Sequence, residues 1–215
     1  MKKTLMFAWV FAVIVVNSFG QIERGPRLVH PKEKSGTHVP AQDAPVGLTK
    51  IYSNLGSKTD AYSDVGEALI GATAPEDYPF FIGMPFTPKY DSHVSQVQVA
   101  VQYQSGANQV NLSIYEDSGG IPGTLLAGPV TVTNLPDFPT CCLLTVANFS
   151  PLAVTGGTRY WVVADTPSTG TGSNFTGAWC QVVKPFVPIA FYFDGSWVEE
   201  NAYDLVAGEV LGTIP

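Results

Sequence analysis

Cysteine is scarce: Cys141, Cys142 and Cys180 are the only three in 215 residues. A disulfide-dense scaffold is therefore excluded, and so is a zinc site built on four Cys/His ligands. Basic residues are scarce beyond residue 46, where only Lys50, Lys58, Lys89, Arg159 and Lys184 occur. Of the 18 acids only Glu23, Glu33 and Asp43 come earlier, so 15 acids face five cations and the formal charge of this part is about −10. Binding to a phosphate backbone depends on clustered cations that displace counterions, and nucleic-acid partners are excluded on that ground. Histidine is scarcer still, with His93 alone outside the N-terminal segment. No Gly-x-Ser-x-Gly elbow is present to supply a nucleophile for a Ser-His-Asp triad, and His93 is expected to be a solvated loop residue. No apolar run approaches the roughly 20 residues that span a bilayer, and no long stripe of period 3.6 follows residue 20.

What is present begins with a leader. Lys2 and Lys3 precede an apolar run from Leu5 to Val16, and the small residues Ser18 and Gly20 follow it. This pattern predicts a signal peptide cleaved after Gly20, an exported chain and no membrane insertion after cleavage. The extracellular space is the expected destination, with the periplasm as the alternative. No cysteine follows the run to carry a lipid. Residues 21–46 hold Pro26, Pro31, Pro40 and Pro45, charges of both signs and no apolar period, and read as a disordered arm or linker. Residues 47–215 are long enough for one domain with a core.

Within that domain the period is two. The stretch VSQVQVAVQY sets Val97, Val99, Val101 and Tyr103 on one face and Gln96, Gln98, Ala100 and Gln102 on the other. QVNLSIYE repeats the pattern, and Ser105 to Asn108 predict a turn that makes the two runs a hairpin. Further strands are expected in PVTVTNL, CCLLTV, TRYWVVADT, PIAFYFD and YDLVAGEVLG, with one helical turn in SDVGEALIGA. The fold expected is all-β: an antiparallel β-sandwich of jelly-roll or immunoglobulin-like kind, ahead of a closed barrel.

The stretch SIYEDSGGIPG looks most like a site. Asp117 and Ser118 hydrogen-bond their own backbone in turns, two glycines supply positive φ, and Pro122-Gly123 supplies a second turn, so turn chemistry accounts for it. The rival is a cation site on Glu116 and Asp117, with calcium the one cofactor these oxygens admit. For a hydrolase, carboxylates could come from Asp194, Glu199, Glu200 or Asp204, although DGSWVEENAYD also reads as a turn at Asp194-Gly195 followed by a solvated stretch. Trp161, in the doubly apolar YWVV, is assigned to the core. Exported sandwiches bind sugars with exposed rings, and the candidates are Phe175 and Trp179 in a Gly/Ser/Thr-rich loop with Tyr192, Trp197, Tyr203 and Asp194. A carbohydrate or other cell-surface component is the expected partner. The alternative is a structural or adhesive domain of an extracellular assembly.

Three motifs carry a resemblance. Tyr115 to Gly123 matches a Tyr-x-Asp-x-Gly-Gly-x-Pro-Gly hairpin, Cys141-Cys142 a Cys-Cys strand, and Tyr160 to Val163 a Tyr-Trp-Val-Val strand. Over roughly residues 48–212 the chain resembles a family of exported bacterial β-sandwich domains of uncharacterised function, some with surface-anchoring signals. The resemblance implies a fold rather than an activity. It also implies that Asn111, Asn148 and Asn174 open glycosylation sequons by chance. In an oxidising compartment three cysteines give one bridge and one odd thiol. Either cysteine of the pair could join Cys180, whereas the resemblance favours a vicinal Cys141–Cys142 bridge.

Overall fold

The structure is a computed structural model that describes residues 27–28, 44–56, 61–63, 65–75, 78–139, 143–182, 189–193, 195–200 and 205–215. The leader, most of the arm, Cys141, Cys142, Asp194, Tyr203 and Asp204 lie outside the described residues. The strands are β1 Arg27–Leu28, β2 Thr49–Ser53, β3 Gly66–Ile70, β4 Phe81–Phe86, β5 Ser92–Val99, β6 Val101–Ser105 and β7 Gln109–Asp117. They continue with β8 Pro122–Thr133, β9 Thr145–Val154, β10 Tyr160–Asp165, β11 Thr176–Cys180, β12 Ile189–Phe193, β13 Ser196–Glu200 and β14 Gly208–Thr213. No helix occurs among the described residues. The fold is an all-β, antiparallel sandwich and not a closed barrel.

An open six-stranded sheet in the order β13-β12-β4-β10-β7-β8 forms one layer. Two four-stranded sheets, β1-β3-β11-β6 and β2-β14-β5-β9, form the other. They are stitched together where Ala100 N donates to Ala207 O (3.0 Å), Ala207 N to Cys180 O (2.8 Å) and Cys180 N to Ala100 O (2.9 Å). Alternation divides each strand of the large sheet between two environments. Ile82, Met84, Leu112, Ile114, Val162 and Ala164 face the core with Val94, Val97, Val99, Val101 and Val210. Trp161, Val163 and Ala190 face outward and form a second, smaller apolar cluster under Tyr115 and Trp197. Trp161 is buried as expected, but in the outer cluster.

Three local expectations are corrected. SDVGEALIGA makes no helical turn, because Gly66–Ile70 is strand β3, paired with β11. A Cβ on Gly66 would sit 3.0 Å from Trp179 O, so the close pairing needs glycine, and tertiary pairing overrides the weak helical preference of Glu67-Ala68-Leu69. The run from Val97 to Tyr103 is two strands broken at Ala100, β5 pairing with β14 and β9 and β6 with β11. Residues 106–108 do not close a hairpin, since β6 and β7 belong to different sheets and the turn carries the chain between layers. In the arm, Arg27 and Leu28 pair with Glu67 and Gly66 at the edge of β3.

Phe175 and Trp179 are also corrected. Both are fully buried. Trp179 lies in β11 and its indole N–H donates to Ala207 O at 2.9 Å, so it serves the seam between the two small sheets. Phe175 packs its ring against Tyr103, 6.2 Å between centroids, and neither presents a surface to a ligand. Replacing either by alanine is expected to lower stability by about 3–5 kcal/mol, the range for buried aromatic truncation. Urea unfolding checks this, and a loss below about 1 kcal/mol would contradict their core placement.

Candidate functional site

The outer face of the large sheet carries the candidate site. Register aligns one residue from each of its six strands across that face. Thr131 opposes Asn111, Asn111 opposes Asp165, Phe81 opposes Tyr192, and Tyr192 opposes Trp197. Ala164 opposes Ile82, so the next pair outward joins Asp165 to Phe81 and completes the row. Each of the six keeps part of its surface in solvent, and all but Thr131 are half-buried. Five interstrand steps make the row about 24 Å long. Its β8 end is polar: Thr131 Oγ1 donates to Asn111 Oδ1 at 2.9 Å, and Asn111 in turn hydrogen-bonds the Asp165 carboxylate. Its β13 end is aromatic: Phe81 stacks on Tyr192 at 5.3 Å, and Tyr192 meets Trp197 edge-on at 5.6 Å.

The neighbouring cross-strand row has small or short side chains and is almost closed. Ser113 opposes Val163, Val163 opposes Gly83, Gly83 opposes Ala190, and Ala190 opposes Glu199. Ser113, Val163 and Ala190 are buried. Tyr115 and Trp197 pack onto this small cluster, which turns a trough into a platform.

Beyond it stands the Asp117 hairpin. Asp117 opposes Pro122, and Ser118 N donates to Ile121 O at 2.8 Å. Gly120 has φ +103°, and a Cβ there would lie 2.6 Å from Glu199 Oε2, so only glycine lets the turn lie down toward β13. Trp161 Nε1 donates to Asp117 Oδ1 at 2.8 Å, and Arg159 Nε approaches the same oxygen at 2.7 Å. Arg159 also reaches Glu199 at 3.3 Å and lies over the Trp161 ring, 5.4 Å from its centroid. Partial desolvation would raise the Asp117 pKa, but hydrogen bonds from Arg159 and Trp161 and the guanidinium charge outweigh it, and the carboxyl is held below its ordinary value.

Glu116 and Asp117, the expected rival cation site, both have partners within the protein. Glu116 accepts a hydrogen bond from Thr124, while Asp117 is committed to Arg159 and Trp161. Among the described residues no group of three or more His, Cys, Asp or Glu is placed to hold a metal ion. His93 is on strand β5 rather than in a loop, and its side chain is exposed. Cys180 is buried, and the proposed pairings involve residues outside the described set. Tyr192, Trp197 and Glu199 are brought together on the platform. Phe81, Tyr115, Asn111 and Asp165, which join them, were not assigned to a binding site by sequence reasoning. The signal that could have found them is period-two parity with YWVVAD and AFYF, but only once the strands are paired.

Comparison with protein-family models, with curated proteins and with solved structures finds no match.

Asp165 is the one group on the face that is strongly perturbed. Burial pushes its pKa from 3.8 up to about 6, and the Asn111 hydrogen bond offsets only part of the shift. Burial, and next the Asp165 charge, raise the Tyr115 phenol. Between pH 3.8 and about 6 the folded chain keeps the Asp165 proton while the unfolded chain has lost it, so stability falls as pH rises through that window. The full effect is about 3 kcal/mol. Asp165→Asn is expected to remove this component, so the variant gains on the parent between pH 4 and pH 7.5 in urea titrations. A constant difference between the two proteins would refute the assignment.

Proposed function

We propose that the protein is an exported, non-catalytic module that binds a glycan of an extracellular surface on the outer face of its six-stranded sheet. The observation that carries this reading is the continuous, partly exposed row of Phe81, Tyr192 and Trp197 beside the hydrogen-bonding groups of Asp165, Asn111 and Glu199. Aromatic faces stack on the apolar faces of sugar rings, and carboxylates and amides bond the hydroxyls. Asp165 and Glu199 do not have the spacing of a hydrolytic pair. Asp165 on β10 and Glu199 on β13 are three interstrand steps apart, about 14 Å, beyond the roughly 6.5–9.5 Å of an inverting pair.

The structural or adhesive reading is favoured by a different observation. Burial of Phe175 and Trp179 reduces the number of rings available to a ligand, and the exposed pair Tyr78–Phe193, 5.1 Å between centroids, flanks β13, which is an edge strand among the described residues. Strand addition at that edge would join neighbours.

A glycan array probed with the purified protein, in calcium and again in chelator, separates the two. The glycan reading expects specific binding that drops about tenfold or more in Tyr192→Ala and Trp197→Ala and is indifferent to chelation, because Asp117 is held by Arg159. Absence of binding in both conditions would leave the structural role standing.

A further inference from the structure

The outer face holds more than a patch of rings, and its geometry restricts the shape and charge of what can lie there. The row is a line of partly exposed residues across the strands. From the four inner members of the row the next outward-facing residue toward the Asp117 hairpin is closed off: Ser113 beyond Asn111, Val163 beyond Asp165 and Ala190 beyond Tyr192 are all buried. At Gly83, beyond Phe81, a Cβ would meet the Trp161 ring at 3.2 Å and Pro122 at 3.3 Å, so that position is filled by its neighbours. A ligand that touches all six members of the row runs perpendicular to the strands, from Trp197 toward Thr131.

Charge sets the second restriction. The carboxylates of Asp165 and Glu199 face this surface, and the nearby cation, Arg159, is spent on Asp117 and Glu199 and stacked on Trp161. The chain as a whole carries a formal charge of −7. At neutral pH Asp165 is ionised despite its raised pKa, so it accepts hydrogen bonds from hydroxyls and repels anions. The two halves of the row then divide the work. The aromatic half spans β4, β12 and β13, about 10 Å, and stacks sugar rings, while the polar half spans β8, β7 and β10 and reads hydroxyls through Thr131, Asn111 and Asp165.

We infer that this row is a set of consecutive subsites for an extended, uncharged oligosaccharide chain lying across the six strands, with its stacked sugars on Phe81, Tyr192 and Trp197 and its hydrogen-bonded sugars at Asn111 and Asp165. The inference rests on the glycan-binding reading and narrows it to a linear neutral chain. A β-linked hexose repeats at close to the interstrand spacing, so about five units fill the row.

The test is calorimetric titration of the purified protein with cello-, xylo- and chito-oligosaccharides of two to six units, and with oligogalacturonates of the same lengths as the anionic counterpart. At least one neutral series is expected to bind with affinity that rises from the dimer to about the pentamer and then levels, while oligogalacturonates bind at least tenfold more weakly. Trp197→Ala is expected to weaken every length. Asp165→Asn and the surface change Thr131→Ala are expected to weaken the pentamer several-fold and to leave the dimer unchanged, a pattern that a loss of folding would not give. Affinity that does not grow beyond the dimer, or oligogalacturonates that bind as tightly as the neutral series, would overturn the extended neutral chain and leave glycan binding intact. Array glycans that bind while all these series fail would do the same. Failure of every glycan on the array would overturn both.

Discussion

The buried indole of Trp161 sets most of what the outer face can do. A ring of that size on the solvent side of a sheet is stable only when it is covered and its N–H is bonded, and the hairpin 117–122 supplies both. Asp117 accepts the indole hydrogen, Pro122 lies against Gly83 beside the ring, and Arg159 caps it from above. Arg159 carries the constraint on to Glu199, so the β7–β8 turn is tied across the sheet to β13. The segment that most resembled a ligand loop is thus a clamp. Its acid is occupied from within the protein, and the surface available to a partner is the row on the far side of the clamp.

Placement of that row depends on a second constraint, the pleat. A six-stranded sheet shows one side chain in two to each face, and here the inward set belongs to the core while the outward set is sorted by size. Large groups at Trp161 and Tyr115 flank the short ones at Ser113, Val163, Gly83 and Ala190, and the next line returns to Phe81, Tyr192 and Trp197. A shift of one residue in the pairing of β12 would send Tyr192 inward and Phe191 outward. The other layer contributes to this surface only indirectly, by holding the inner face through the seam at Ala100, Cys180 and Ala207.

Much of this was legible in the chain. Period-two patterning in QVNLSIYE and the doubly apolar run YWVV marked true strands, the turn residues of EDSGGIPG marked a true hairpin, and the absence of a helical stripe marked the class. Asp194-Gly195 marked a tight turn, and Phe193 and Ser196 pair on either side of it. The misreadings share one cause. Phe175 and Trp179 sit among glycines, serines and threonines that look solvated, yet β11 lies between β3 and β6 and is buried along its whole length. Residues 105–108 have the composition of a hairpin turn and serve as a crossover, because composition specifies a change of direction and not which strand comes next.

The sequence by itself determined the local facts: an all-β chain, its strand alternation, its turns, an acidic balance, and an Asp-Ser-Gly-Gly-Ile-Pro reversal after β7. These depend on neighbours within a few residues, through backbone preferences and solvation. Only the tertiary structure decided which aromatics meet solvent and which residues stand side by side. Thr131, Asn111, Asp165, Phe81, Tyr192 and Trp197 are scattered over 117 positions of the chain, from 81 to 197, and are adjacent only because six strands pair in one register. Hydrogen-bond pairing between distant strands is a property of the whole sheet, and no short stretch of sequence contains it.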